Sequence, residues 1–144
     1  DEYLYFAASI PRDPDAPDVK PIMAGRTHDA DLRDYDRIGL FLDVDRDYAT
    51  YYALEIDQHS RTHDACWDDA SWNPKWFVAV EADKLRWRIE AAIPFEELTP
   101  VRPVKNTVWA LGLLRTVPAV RLESWTHPAA ARPRPETFGL LRFD

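Results

Sequence analysis

The stretch Trp72-Asn73-Pro74-Lys75-Trp76-Phe77-Val78-Ala79-Val80, followed by Trp87-Arg88-Ile89-Glu90-Ala91-Ala92-Ile93-Pro94-Phe95, constrains this chain most. Each half alternates large apolar residues with small or polar ones, the period of a strand buried on one face; a helix would repeat every 3.6 residues instead. In the second half Leu85, Trp87, Ile89, Ala91 and Ile93 point one way, and Arg86, Arg88 and Glu90 the other. Asp83 and Lys84 separate the halves, so the pair is predicted to be a β-hairpin. Trp76, Trp87 and Trp109 are expected in the core, because an alternating strand directs such residues inward and a buried indole removes a large area from water.

The same period recurs along the chain. Tyr3–Ile10, Ile38–Val44, Ala49–Asp57, Arg61–Trp67, Thr107–Val117, Arg121–Trp125 and Phe138–Phe143 all read as strands. In the third of these segments Tyr52, Leu54 and Ile56 fall on the inner face, and Tyr51, Glu55 and Asp57 on the outer one. The link Asp45-Arg46-Asp47 has the composition of a hairpin turn. Helix is expected only as a turn at Glu96-Glu97-Leu98, after Pro94. Twelve prolines against four glycines reinforce the pattern: Pro11, Pro14, Pro17 and Pro21 fall in one stretch and Pro128, Pro133 and Pro135 in another, which marks both as loops. The predicted fold is all-β, an antiparallel two-sheet sandwich of jelly-roll or immunoglobulin-like kind with little helix, spanning residues 1–144 as a single domain.

Charge and cysteine content exclude several function classes. A formal net charge of −7 with no basic stripe argues against a nucleic-acid partner. No apolar run approaches the length of a membrane span. The single cysteine, Cys66, allows neither an internal disulfide nor a cysteine-rich zinc site.

The hairpin resembles the W-N-P-x-W-x-x-A-V … W-x-x-E-x-A-I-P-F stretch of the family 9 carbohydrate-binding modules and their relatives. Tyr3-Leu4-Tyr5-Phe6-Ala7 is similar to the family's L-Y-V-A strand, and Asp36–Asp43 to its D-x-V-E-I-F-L-D strand, with Gly39 where the family has Glu. Tyr51–Asp57 resembles Y-Y-Q-F-E-V-N, and Trp109–Arg115 resembles W-G-L-N-L-x-R. Glu123-Ser124-Trp125, then Phe138-Gly139-Leu140-Leu141, resembles E-S-W … F-G-x-L. The resemblance implies a β-sandwich accessory module with a carbohydrate partner, joined to other domains of a parent chain and placed outside the cell or in a periplasm. It also implies that the chain begins inside the domain, after one or two family strands. In sugar-binding members two loop tryptophans sandwich a terminal sugar; at the matching places this chain carries Arg33 and Tyr35, and Arg132. That exchange predicts a shift toward acidic or sulfated sugars, which guanidinium groups bind as forks.

The expected ligand-binding set is therefore Arg33, Tyr35, Tyr51, Glu55, Asp57, Trp67, Trp72, Trp125 and Arg132, aromatic faces for stacking and polar groups for hydroxyls. No catalytic residues are expected: Glu96 and Glu97 are adjacent in a short helical turn and cannot flank one glycosidic bond. No cofactor is expected either. Asp43, Asp45 and Asp47 form a carboxylate pattern that a structural calcium favours, but a solvated hairpin turn accounts for it more simply. Asp64, Asp68 and Asp69 likewise read as a solvent-facing acidic cluster, and His59 with His63 lacks a third zinc ligand. Two alternatives stand beside sugar binding. One is a structural domain without a sugar ligand. The other is a haem-binding sandwich, in which related domains hold iron between an early-loop methionine and a late-loop histidine, here Met23 and His127.

Overall fold

The computed structural model describes residues 2–17, 29–126 and 129–144. Met23 and His127, the pair considered for haem, lie outside the described residues. Every predicted strand is present: β1 (Tyr3–Pro11), β2 (Arg37–Asp43), β3 (Tyr52–Asp57), β4 (Thr62–Cys66), β5 (Phe77–Ala82), β6 (Arg86–Pro94), β7 (Val108–Val117), β8 (Arg121–Ser124) and β9 (Gly139–Arg142). A four-residue helix α1 (Phe95–Leu98) follows Pro94, and Pro135–Thr137 forms a 3₁₀ turn that the sequence did not announce. Among the described residues no helix is long and apolar enough to cross a membrane.

The strands form two antiparallel sheets. One has the order β1-β6-β5; the other runs β4-β3-β2-β7, with β8 and β9 both pairing with β7. Strands β8 and β9 share that edge by dividing it: β8 pairs with Leu114–Val117 and β9 with Val108–Leu111.

Between the sheets lies the core that the alternation predicts. Trp87, Ile89, Ala91 and Ile93 of β6 meet Leu40 and Leu42 of β2, Leu54 and Ile56 of β3, and Trp109 of β7. Trp87, Leu42, Leu54 and Ile93 are wholly removed from water, and burial of large apolar side chains on this scale is the main force favouring the fold. Leu85 departs from the alternation. It sits in the β5–β6 turn, three-quarters exposed, because the strand period begins only at Arg86.

Two departures are polar. Asp64 is not solvent-facing: it lies on the inner face of β4 opposite Leu54, fully buried, and accepts a 3.1 Å hydrogen bond from the Trp76 indole N–H. A carboxylate between two sheets is tolerated only with such donors. Asp57, though on the outer face of β3, is also fully buried; its carboxylate accepts from the backbone N–H of His59 and Arg61 and is ion-paired with the Arg61 guanidinium.

The outer face of the larger sheet carries a second apolar cluster of Phe41, Tyr51, Ala53, Ala65 and Leu114, with Phe138 packed against it. Glycines make it possible. A Cβ at Gly39 would lie 2.5 Å from the Phe41 ring, and one at Gly112 would lie 2.6 Å from the Phe138 ring. Each ring therefore occupies the space that a side chain at the glycine would fill. At Gly139 the Trp125 indole does the same, at 2.7 Å.

Candidate functional site

Three rows of side chains cross the outer face of β2, β3 and β4, ordered by strand register. Glu55 of β3 lies opposite Gly39 of β2 and His63 of β4. Arg37, two residues before Gly39, reaches back to this row: its Nε donates to Glu55 Oε1 at 3.1 Å, and another guanidinium nitrogen donates to the Leu32 carbonyl at 3.1 Å. Both partners are largely shielded, with side-chain exposures of 16% and 22%, so the pair is fixed rather than loosely solvated. The next row is apolar, with Phe41 of β2 and Ala65 of β4 flanking Ala53 of β3. Beyond it stand Tyr51 and Trp67, joined by a 2.6 Å hydrogen bond from the Trp67 N–H to the Tyr51 carbonyl.

These rows floor an open trench of two adjoining depressions that share Arg37, Glu55 and His63. Asp29–Arg33 wall the first, about 380 Å³ in volume. The second, about 360 Å³, is bounded by Trp67, Asp68 and the segment Ala131–Pro133. Both volumes fall in the range of small-molecule sites.

Electrostatically the trench is close to balanced. Arg33 ion-pairs with Asp31 at 2.6 Å, and that hydrogen bond holds the Asp31 carboxyl below the usual carboxylate range. Arg132 ion-pairs with Asp68 across the far end. Burial, and then the charge of Asp68, pushes the Tyr51 phenol upward.

The structure brings Arg33, Tyr51, Glu55, Trp67 and Arg132 to this trench. It places the other four candidates elsewhere. Tyr35 is 7% exposed, with the Arg61 guanidinium 3.5 Å above its ring and the His59 ring edge-on at 6.1 Å. Asp57 is consumed by the turn it stabilises with Arg61. Trp72 turns to the inner face and packs on Tyr52 at 4.7 Å. Trp125 is half-exposed, yet it lies over β9 and does not line the trench. Arg37, His63 and Asp68 join the site without having been candidates. Antiparallel register could have found His63, since it faces Glu55 once the β3–β4 turn is centred on His59.

The carboxylate pattern Asp43, Asp45 and Asp47 does converge, with one oxygen from each within 4.8 Å of the others. Those oxygens are already engaged in the turn: Asp43 accepts from the N–H of Asp47 and Tyr48, and Asp47 from those of Ala49 and Thr50. Burial pushes the Asp43 carboxyl upward, toward its neutral form.

No protein-family model and no curated protein matches the sequence. Solved structures do. A family 9 carbohydrate-binding module from Caldicellulosiruptor kristjanssonii, solved with glucose, superposes with a TM-score of 0.69 at 15% identity, over 97% of this chain and 70% of that one. The fold is that of a family 9 carbohydrate-binding module. A candidate carbohydrate-binding protein of Bacteroides uniformis superposes at a TM-score of 0.64, again at 15% identity, over 99% of this chain and 72% of its own. A second structure of a Caldicellulosiruptor kristjanssonii family 9 module, solved with cellotriose, matches 74% of this chain and 56% of its own at a TM-score of 0.55 and 15% identity. Likeness at such identity establishes the architecture; the chemistry of the trench has to be argued from its own residues.

Proposed function

We propose that this chain is a non-catalytic carbohydrate-binding module that takes a neutral saccharide in the trench. The observation carrying this reading is the Arg37–Glu55 pair set across an apolar floor from Tyr51 and Trp67. A fixed guanidinium–carboxylate pair offers a donor and an acceptor side by side, the complement of two adjacent sugar hydroxyls. An aromatic wall opposite it suits the apolar C–H face of a pyranose. Glucose and cellotriose in the similar modules support the ligand class.

Arginines replacing the family's tryptophans pointed toward acidic sugars. Arg33 and Arg132 each already face a carboxylate, so a uronate would have to displace Asp31 or Asp68. The balanced trench favours neutral hydroxyls over anions. By the same family likeness, the module serves glycan breakdown outside the cell or in a periplasm, beside other domains of a parent protein.

Calorimetric titration of the purified chain with cellotriose, xylotriose and trigalacturonate tests the proposal. Neutral trimers should bind, and Glu55→Gln, which removes the charge but keeps the shape, should weaken them. Preferential binding of trigalacturonate that disappears in an Arg33→Ala, Arg132→Ala double variant would restore the acidic-sugar reading. Failure of all three probes would favour a structural domain without a sugar ligand.

A further inference from the structure

Of the tryptophans among the described residues, only Trp67 and Trp125 are exposed, by 51% and 54%, and only Trp67 lines the trench. Its backbone explains how it gets there. Cys66 and Asp69 exchange hydrogen bonds, Cys66 N–H to the Asp69 carbonyl at 3.0 Å and Asp69 N–H to the Cys66 carbonyl at 2.9 Å, closing a two-residue turn around Trp67 and Asp68. Trp67, the first central residue, has φ of 58°, whereas Asp68 is not left-handed. Left-handed φ at that position alone is the pattern of a type II′ turn, which favours glycine there. A bulky residue held in this region is a real outlier, and such strain persists where the surroundings enforce it and a role repays it. Here the enforcing contact is the 2.6 Å bond from the Trp67 N–H to the Tyr51 carbonyl. Half of the residue's surface is left in water, facing the trench.

We propose that Trp67 is the sugar-stacking platform of the trench, its indole presented by a left-handed turn on a strand edge, with the ion-paired Arg132 and Asp68 supplying hydroxyl contacts beside it. This rests on the neutral-saccharide reading above and assigns the stacking to one residue. The backbone that presents the ring is fixed before the ligand arrives, by the turn on one side and the Tyr51 carbonyl on the other. Preorganisation of this kind lowers the entropic cost of binding. Asp68, the next residue in the turn, places its carboxylate against Arg132, so the donor group and the stacking face share one corner of the trench.

The decisive variant is Trp67→Asn. Asparagine tolerates the left-handed region and has no ring, so it removes the platform while easing the backbone. Binding of cellotriose and xylotriose should fall by at least about thirtyfold, the scale of a hot-spot truncation, while the melting temperature stays level or rises. Trp67→Phe, which keeps a smaller ring, should lose only several-fold, and the sugar-induced change in tryptophan emission should vanish in it although five tryptophans remain of the six. Trp125→Ala should bind as the wild type does. Wild-type affinity in Trp67→Asn would overturn the platform assignment while leaving the trench reading intact. Loss of affinity in Trp125→Ala instead would move the stacking site to β8. A wild-type protein that binds neither trimer would remove both readings.

Discussion

Gly39 tests whether the aromatic floor of the larger sheet was built by deleting a side chain. An alanine Cβ there would stand 2.5 Å from Phe41 Cζ, 2.7 Å from Cε2 and 3.5 Å from Glu55 Cγ. Carbon atoms rest at about 3.5–4.0 Å, so the ring must retreat by roughly 1 Å. It has little room to do so: Phe41 is 4% exposed, with Tyr51 edge-on at 5.9 Å and Phe138 at 6.3 Å. Overpacking of this size costs about 1–3 kcal/mol. Replacing a strand glycine returns about 0.5–1 kcal/mol through the unfolded chain. The clash wins, and Gly39→Ala should destabilise by about 1–2 kcal/mol, a fall of roughly 2–8 °C in melting temperature for a chain of this length. In a Phe41→Leu background the ring is gone and only the favourable contribution remains, so the same substitution should become neutral or stabilising. Circular-dichroism melts of the four proteins in this cycle give the coupling directly. A Gly39→Ala protein that melts higher than wild type with Phe41 present would refute the reasoning.

Asp57→Ala should cost roughly 3–5 kcal/mol in urea denaturation, because it leaves the Arg61 guanidinium buried without its carboxylate; adding Arg61→Leu should recover part of that loss. Stability should also fall on acidification below the ordinary aspartate value of 3.8. Backbone N–H groups hold Asp13, Asp47 and Asp83 below that value, the Ser71 hydroxyl does so for Asp69, and Arg33 for Asp31. A depressed folded-state value means that the unfolded chain binds protons first, so this contribution is complete above pH 3.8 and is lost as pH falls through the folded values. Asp43, raised by burial, opposes the trend. Thermal melts should stay nearly level from pH 5 to about pH 4 and decline from there to pH 2.5; a profile flat down to pH 2.5 would contradict the assignment.

Local patterning explains why the fold could be read from the chain. A strand inner face repeats every second residue, so Trp87, Ile89, Ala91 and Ile93 announce their own burial without knowledge of any partner. The pattern failed where burial comes from something other than alternation. Leu85 is apolar but belongs to a turn. Asp64 is polar yet inward, because a distant indole N–H from Trp76 makes its burial tolerable. Neither fact is visible in a window of neighbouring residues.

The trench was only half legible, for a related reason. Residue type nominated Arg33, Tyr51, Glu55, Trp67 and Arg132, but four equally suitable side chains were directed elsewhere by contacts spanning loops and strands. Tyr35 and Asp57 have the chemistry of a sugar site, and Arg61 binds both, stacking on the ring of one and pairing with the carboxylate of the other. One arginine thus converts two candidate ligand groups into the support beneath the trench. Gly39 works in the opposite direction. Where the resembled family pattern has a glutamate, the missing side chain admits Phe41 over the sheet, and the polar contact lies on the neighbouring strand, where Glu55 meets Arg37. In the proposed site the polar pair therefore stands one strand away from the glutamate of the family pattern, and the proposed aromatic face lies at the β4 turn of Trp67 instead of in the two loops. If that displacement is correct, restoring Glu at position 39 should not create a better site: the carboxylate would crowd Glu55 and expel the Phe41 ring, weakening fold and ligand together.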